Sequence, residues 1–168
     1  KENKEKQKEK EIIYYSIQLL IVDAFVAAFY VNIKILNILV CKIVQLSILH
    51  GNSPASALGY SWFGYRICSV LLTTSSSSLK ESLYWGELSK LLLNIKQFDW
   101  KNNRLYGSIV SLIASCTTWK SDSNDEGIEE NGVVKALREL EEAYKLSLAM
   151  GDIAYSVYSV FHYIIMIP

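Results

Sequence analysis

From Ile12 onward the apolar positions come in long runs, separated by short polar punctuation at Gly51–Pro54, Thr73–Ser78, Phe98–Trp100, Lys120–Gly132 and Gly151–Asp152. Within the runs the spacing is helical, and the run after Asn32 is too long for an ordinary strand. The pattern predicts seven helices: about Lys8 to Val22, Asn32 to Leu49, Pro54 to Leu72, Leu79 to Ile95, Asn103 to Thr118, Val133 to Met150, and a seventh opened by Asp152. The second is apolar on nearly every side and is therefore expected to lie buried between neighbours. The fourth should turn Leu83, Leu88, Leu91, Leu92 and Ile95 inward, the fifth Leu105, Ile109, Leu112 and Ile113. The sixth is the clearest, with one stripe from Val133 through Ala136, Leu137, Leu140, Ala143, Tyr144 and Ser147 to Leu148. The seventh carries Tyr155, Tyr158, Val160, Phe161, Tyr163 and Ile164, a wide aromatic surface that expects a partner helix, such as one lying beyond Pro168.

One punctuation mark occurs twice. LSILHGN, from Leu46, returns one hundred positions later as LSLAMGD, from Leu146, with Ser56 falling on Ser156 in the same register. Gly51 and Gly151 supply the backbone freedom a helix stop wants. Asn52 and Asp152 follow them, and Ser53-Pro54 reads as an N-cap with proline at the first helical position, where its missing N–H costs nothing. Predicted helix starts near 54, 103 and 152 give a period of about 49 residues, two helices each, longer than a tetratricopeptide unit of about 34. The expected architecture is all-α: stacked antiparallel helical hairpins, an α-solenoid of tetratricopeptide type with a long repeat. Tyr60, Phe63, Gly64 and Ile67 stand at the spacing of the first helix of such a unit, and Tyr106-Gly107 repeats the aromatic–glycine step of Phe63-Gly64.

Charge changes the picture at the two ends of this pattern. Residues 1–10, KENKEKQKEK, form a charged low-complexity tail or a solvated helix extension, ahead of a helical domain over 11–168. Between Ile12 and Leu79 only Asp23, Lys34, Lys42 and Arg66 are charged. Ile12 to Val31 has the length of a membrane span, but Asp23 near its middle is costly in hydrocarbon, so a soluble cytoplasmic stack is the preferred reading. A net charge of +0 gives no basic surplus for nucleic acid. The stretches TTSSSS and KSDSNDEGIEENG read as a polar loop and a solvated linker, the latter without the ordered oxygen ligands of a calcium loop. Because the chain starts with Lys and stops at Pro168 inside an apolar run, it reads as a piece of something longer.

Candidate chemistry is sparse. His50 and His162 are the two histidines, and neither has a nucleophile or carboxylate at a catalytic spacing. No phosphate-cradling glycine motif is present. Cys41, Cys68 and Cys116 stand apart and read as reduced core thiols, and Trp62, Trp85, Trp100 and Trp119 as packing residues. No catalytic residue, metal ligand or cofactor site is therefore assigned, and the segment is expected not to be an enzyme.

Two segments resemble a family. LSILHGNSPASALGYSWFGY, 46 to 65, is similar to a helix ending followed by P.SA..Y..YG. Ala136, Glu142, Ala143, Tyr144, Leu148, Gly151, Asp152, Tyr158, Phe161 and Tyr163 match a second pattern. Both resemble the helical-repeat region of large multidomain signalling proteins of bacteria and amoebae, which join a serine/threonine kinase-like domain and an AAA-type NTPase to a GAF domain and a sensor histidine kinase. The resemblance implies a non-catalytic scaffold whose partners are neighbouring domains of the same polypeptide, with the activities residing in those domains. Two other readings stay open. One is a stand-alone peptide-binding module whose groove carries Tyr60, Tyr65 and Tyr106; the other is a small membrane protein anchored through residues 12–49.

Overall fold

The computed structural model describes residues 2–71, 76–100, 103–117 and 132–166. Among them are seven α-helices and no strand: α1 (Glu2–Val31), α2 (Ile33–His50), α3 (Pro54–Leu71), α4 (Ser76–Leu93), α5 (Tyr106–Thr117), α6 (Gly132–Ala149) and α7 (Ile153–Met166), with a 3-10 turn at Lys96–Phe98. The expectations for Thr73 to Ser75, for the acidic linker, for Trp119 and for the side chain of Cys68 lie outside the described residues.

The largest departure from the sequence expectation is α1, which runs from residue 2 to Val31 and not from Lys8 to Val22. Lys, Glu and Gln are strong helix formers, so the charged start continues the helix and is not a separate tail. No Gly or Pro precedes Gly51, so nothing breaks the backbone at Asp23 either. The helix stops at one residue: Asn32 leaves helical geometry (φ −161°, ψ 108°) and its Oδ1 accepts from the Lys34 N–H at 2.9 Å, capping α2. Asp23 sits on the outer side, ion-paired to Arg104.

Each helix packs on the next, and the odd-numbered helices also pack on one another, α1 on α3, α3 on α5 and α5 on α7. The even-numbered helices make no comparable contact among the described residues. Paired contacts give the directions. Ser82 near the start of α4 meets Gly64 near the end of α3, and Ser89 further on meets Ala57, so α3 and α4 are antiparallel. Ser111–Ser159 and Ser115–His162 make α5 and α7 parallel. The core centres on α3 and α5, with Phe25, Leu36, Ile43, Leu58, Ile109, Leu112 and Leu140 fully buried around them.

Small residues set how closely these helices approach. Ser82 donates to the Gly64 carbonyl at 2.7 Å and Ser89 to the Ala57 carbonyl at 2.7 Å, binding α4 to α3. A hydroxyl buried in this way offsets its desolvation through the bond it makes. The Ser47 hydroxyl lies 2.7 Å from that of Ser56, joining α2 to α3, and Cys116 donates to the Ser61 carbonyl at 3.8 Å, joining α5 to α3. A Cβ on Gly64 would lie 2.9 Å from the Ser82 carbonyl oxygen. On Gly107 it would lie 2.3 Å from Ser147 Oγ.

Three further expectations are corrected. α2 is not buried on all sides, since Ile33, Ile35, Ile38, Ile48 and Leu49 are exposed along one flank. α4 does not turn Leu91 inward; Ser82, Gly86, Ser89 and Leu92 occupy the buried stripe, because close packing against α3 selects small side chains there. Of the two cysteines whose side chains are described, Cys116 is a core thiol and Cys41 is exposed.

Candidate functional site

The two repeated corners have the same task and different backbones. At the second, Gly151 adopts φ +75° and its N–H donates to the Leu148 carbonyl at 3.1 Å, while the Asp152 N–H donates to the Ser147 carbonyl at 2.8 Å. This is the paired hydrogen bonding of a Schellman stop. Asp152 then caps α7 as expected, its Oδ1 accepting from the Tyr155 N–H at 3.1 Å and its Oδ2 from the Ser108 hydroxyl at 3.1 Å. At the first corner Gly51 has φ +98° and ψ 163° and donates to the Ser47 carbonyl at 3.0 Å. Pro54 opens α3 as predicted, but the Ser53 hydroxyl does not cap it. That hydroxyl donates to Gln18 of α1, and the capping geometry is reversed: the Ser53 N–H donates to Ser56 Oγ at 2.9 Å. Asn52 accepts from the Tyr60 hydroxyl at 2.8 Å.

Each corner borders a depression. A groove of about 680 Å³ is lined by Lys8, Tyr14, Gln18, His50, Asn52 and Asn103 among others. In it the His50 ring stacks on Tyr14 at 3.5 Å, facing an aromatic ring and not a nucleophile. A smaller cavity of about 270 Å³ lies between Asp23, Leu58, Arg104, Gly151, Asp152 and Tyr155.

The predicted interaction tyrosines do not share one groove. Tyr60 is buried between the first corner and Trp85, 5.5 Å away ring to ring, and burial raises its hydroxyl pKa. Tyr106 lies against Trp100, with its pKa raised by burial and then by the charge of Glu142. Only Tyr65 joins Tyr155 and Tyr158, in an aromatic cluster that the sequence did not assemble. There Phe25 and Phe29 of α1, Trp62 and Tyr65 of α3 and Tyr155, Tyr158 and His162 of α7 meet, with Phe29–Tyr158 at 6.4 Å and Tyr65–Tyr158 at 6.2 Å. Such edge-on contacts add about 0.5–1.5 kcal/mol each beyond burial. The Trp62 Nε1–H donates to the Tyr155 hydroxyl at 2.7 Å across 93 positions of sequence.

Burial dominates the electrostatics of the cluster. Tyr155 and Tyr158 are both held far above the usual tyrosine range by desolvation. The buried Tyr158 hydroxyl lies beside Tyr65 and meets no hydrogen-bond geometry among the described residues. His162 is buried, lies 3.2 Å from the Ser115 hydroxyl, and is pushed down to about 4 by desolvation. A neutral imidazole packed against the rings of Tyr65 and Tyr158 is a packing element. Among the described residues no group of three His, Cys, Asp or Glu side chains is placed to hold a metal ion.

Phe161 falls outside the cluster, 58% exposed on the opposite side of α7 with Ile153, Val157, Ile164 and Ile165. The residues that sequence reasoning missed are the buried serines. Leu88-Ser89 is a third Leu-Ser pair beside Leu46-Ser47 and Leu146-Ser147, followed by Asn94 where the others have Asn52 and Asp152. All three serines are buried on even-numbered helices. Compared with protein-family models, curated proteins and solved structures, the chain matches none.

Proposed function

We propose that this segment is a non-catalytic α-solenoid of tetratricopeptide type that couples an NTPase/kinase module to sensor and histidine kinase modules within a multidomain cytoplasmic signalling protein. The observation that carries the reading is the contact order: odd-numbered helices touch their odd-numbered neighbours while even-numbered ones stay apart. In a stack of hairpins the first helices line one side and the second helices the other. The Leu-Ser pair recurs on each even-numbered helix, and the glycine corner follows the first and third of these, α2 and α6. The aromatic cluster supplies a route, since Tyr158 touches rings on α1 and α3 and a displaced α7 must repack both. The test is to replace residues 46–168, in the polypeptide that carries them, by a flexible linker. Coupling predicts loss of nucleotide-dependent control over the downstream kinase with both isolated activities retained; unchanged control discards it.

A membrane anchor is the second reading. It is favoured by α1 and α2, whose spans at Glu5–Val31 and Ile33–His50 are long and apolar enough to cross a bilayer, with 22% and 33% of those windows buried. Against it stand the Asp23–Arg104 pair and the buried Gln18–Ser53 hydrogen bond, which tie α1 to the rest of the stack. Retention in the lipid pellet after carbonate extraction selects the anchor; release selects the stack.

A further inference from the structure

Three carboxamide side chains border the groove beside the first corner, and each has its oxygen engaged by the protein itself. Gln18 Oε1 accepts from the Ser53 hydroxyl, Asn52 Oδ1 from the Tyr60 hydroxyl at 2.8 Å, and Asn103 Oδ1 from the Leu105 N–H at 3.0 Å. A carboxamide held by its oxygen keeps two N–H donors. Among the described residues, none of the three amide nitrogens meets an acceptor. For Gln18 this is unusual, because the residue is only 1% exposed and lines the groove. A buried donor without an acceptor is costly to keep, and no described side chain supplies one.

We propose that this groove binds a small organic anion, its carboxylate or phosphate head on the amide N–H groups of Gln18, Asn52 and Asn103 and its flat body beside the stacked rings of Tyr14 and His50. The remaining polar groups at the Gln18 end of the groove all donate, so they suit a ligand rich in acceptor oxygens. Negative charge is favoured there because Pro54 lines the groove as the first residue of the 18-residue α3, whose positive end lies at this point. The one carboxylate among the lining residues, Glu11, stands seven residues before Gln18 on α1, about 10 Å along the helix axis. Lys8 lines the groove one turn further out and offsets it. Between these two ends lie the rings of Tyr14 and His50, 3.5 Å apart and within 10° of parallel, with Ile12 and Tyr15 beside them. The volume of about 680 Å³ is that of a small-molecule site. The groove joins residues from α1, from the corner between α2 and α3 and from the entry to α5, so a bound anion would tie together three parts of the stack.

Titration of the whole chain with phenyl phosphate and with benzoate, followed by nitrogen–proton NMR of the side-chain amides, tests the site. The N–H2 resonances of Gln18, Asn52 and Asn103 are expected to shift together and saturably, while those of Asn32 and Asn37, which do not line the groove, stay in place. Tighter binding of phenyl phosphate assigns a phosphate head, and tighter binding of benzoate a carboxylate. Asn52→Asp and Asn103→Asp keep the acceptor oxygen that Tyr60 and Leu105 use and replace the donor by a negative oxygen. Each should therefore fold, with unchanged far-ultraviolet circular dichroism, and weaken either anion by more than about tenfold. Lys42→Glu on α2 removes a cation outside the groove and should leave binding unchanged. Should either Asp variant fail to fold, the other takes its place, and the amide shifts of the unsubstituted chain decide without them. The proposal is overturned if neither anion shifts the three amides up to its solubility limit, if neutral benzyl alcohol binds as tightly as benzoate, if inorganic phosphate binds as tightly as phenyl phosphate, or if the Asp variants fold and bind undiminished.

Discussion

At the residue scale, the hydrogen bond from Trp62 to Tyr155 joins two helices that sequence proximity does not relate. Replacing Tyr155 by Phe removes the acceptor and leaves a buried indole N–H without a partner, so urea denaturation should show a loss of about 1–3 kcal/mol. His162 makes a pH prediction with a definite sign. Its folded pKa, about 4, lies below the ordinary value near 6.5, so the unfolded chain binds the proton more readily. Stability from keeping the ring neutral is fully present above about pH 6.5 and is lost as pH falls toward about 4. The urea midpoint should therefore drop over that interval, and His162→Gln should flatten the drop; an equal slope in both proteins would assign the acid sensitivity elsewhere. Asp152 was legible as a cap because its partner, Tyr155, is three residues on. Ser53 misled because Gln18, 35 positions earlier, takes its hydroxyl.

At the element scale, glycines separate close approach from mere tolerance. A Cβ at Gly107 would meet Ser147 Oγ at 2.3 Å and the Ser147 backbone nitrogen at 2.8 Å, and backbone cannot swing aside. Gly107→Ala should cost about 1–3 kcal/mol by overpacking the α5–α6 contact. At Gly86 the same Cβ meets only Cys116 Cβ at 3.5 Å, ordinary contact, so Gly86→Ala should be neutral or stabilise by about 0.5–1 kcal/mol through helix propensity. Thermal melts of the two variants check both signs, and a stabilised Gly107→Ala protein would show that α5 and α6 are not so closely packed. Helix existence was legible throughout; the extent of α1 was not. Its charged start and apolar continuation differ in composition, but the backbone responds to breakers, and the first one is Asn32.

At the scale of the whole molecule, α3 and α5 pack against helices on several sides, whereas residues 5–13 of α1 have exposed side chains. Native-state hydrogen exchange should accordingly be slowest in α3 and α5 and fastest over the start of α1, the order that contact density dictates. Uniform protection from residue 5 to residue 17 would contradict it.

The amino-acid pattern alone determined that the chain is helical, roughly where six of the seven helices begin and where five of them end, and that two glycine corners repeat. These features are local: helical periodicity, capping and left-handed backbone are decided within a few residues. Which faces are covered was decided only by the tertiary structure. Burial of apolar surface has no direction and does not name the neighbour, so α2 looked buried and is half open, Leu91 looked inward and is not, and Tyr60, Tyr65 and Tyr106 looked like one groove and face three different surroundings. The serines that bring the helices together carry almost no hydrophobic signal; their role exists only once a carbonyl on another helix stands within reach of each hydroxyl.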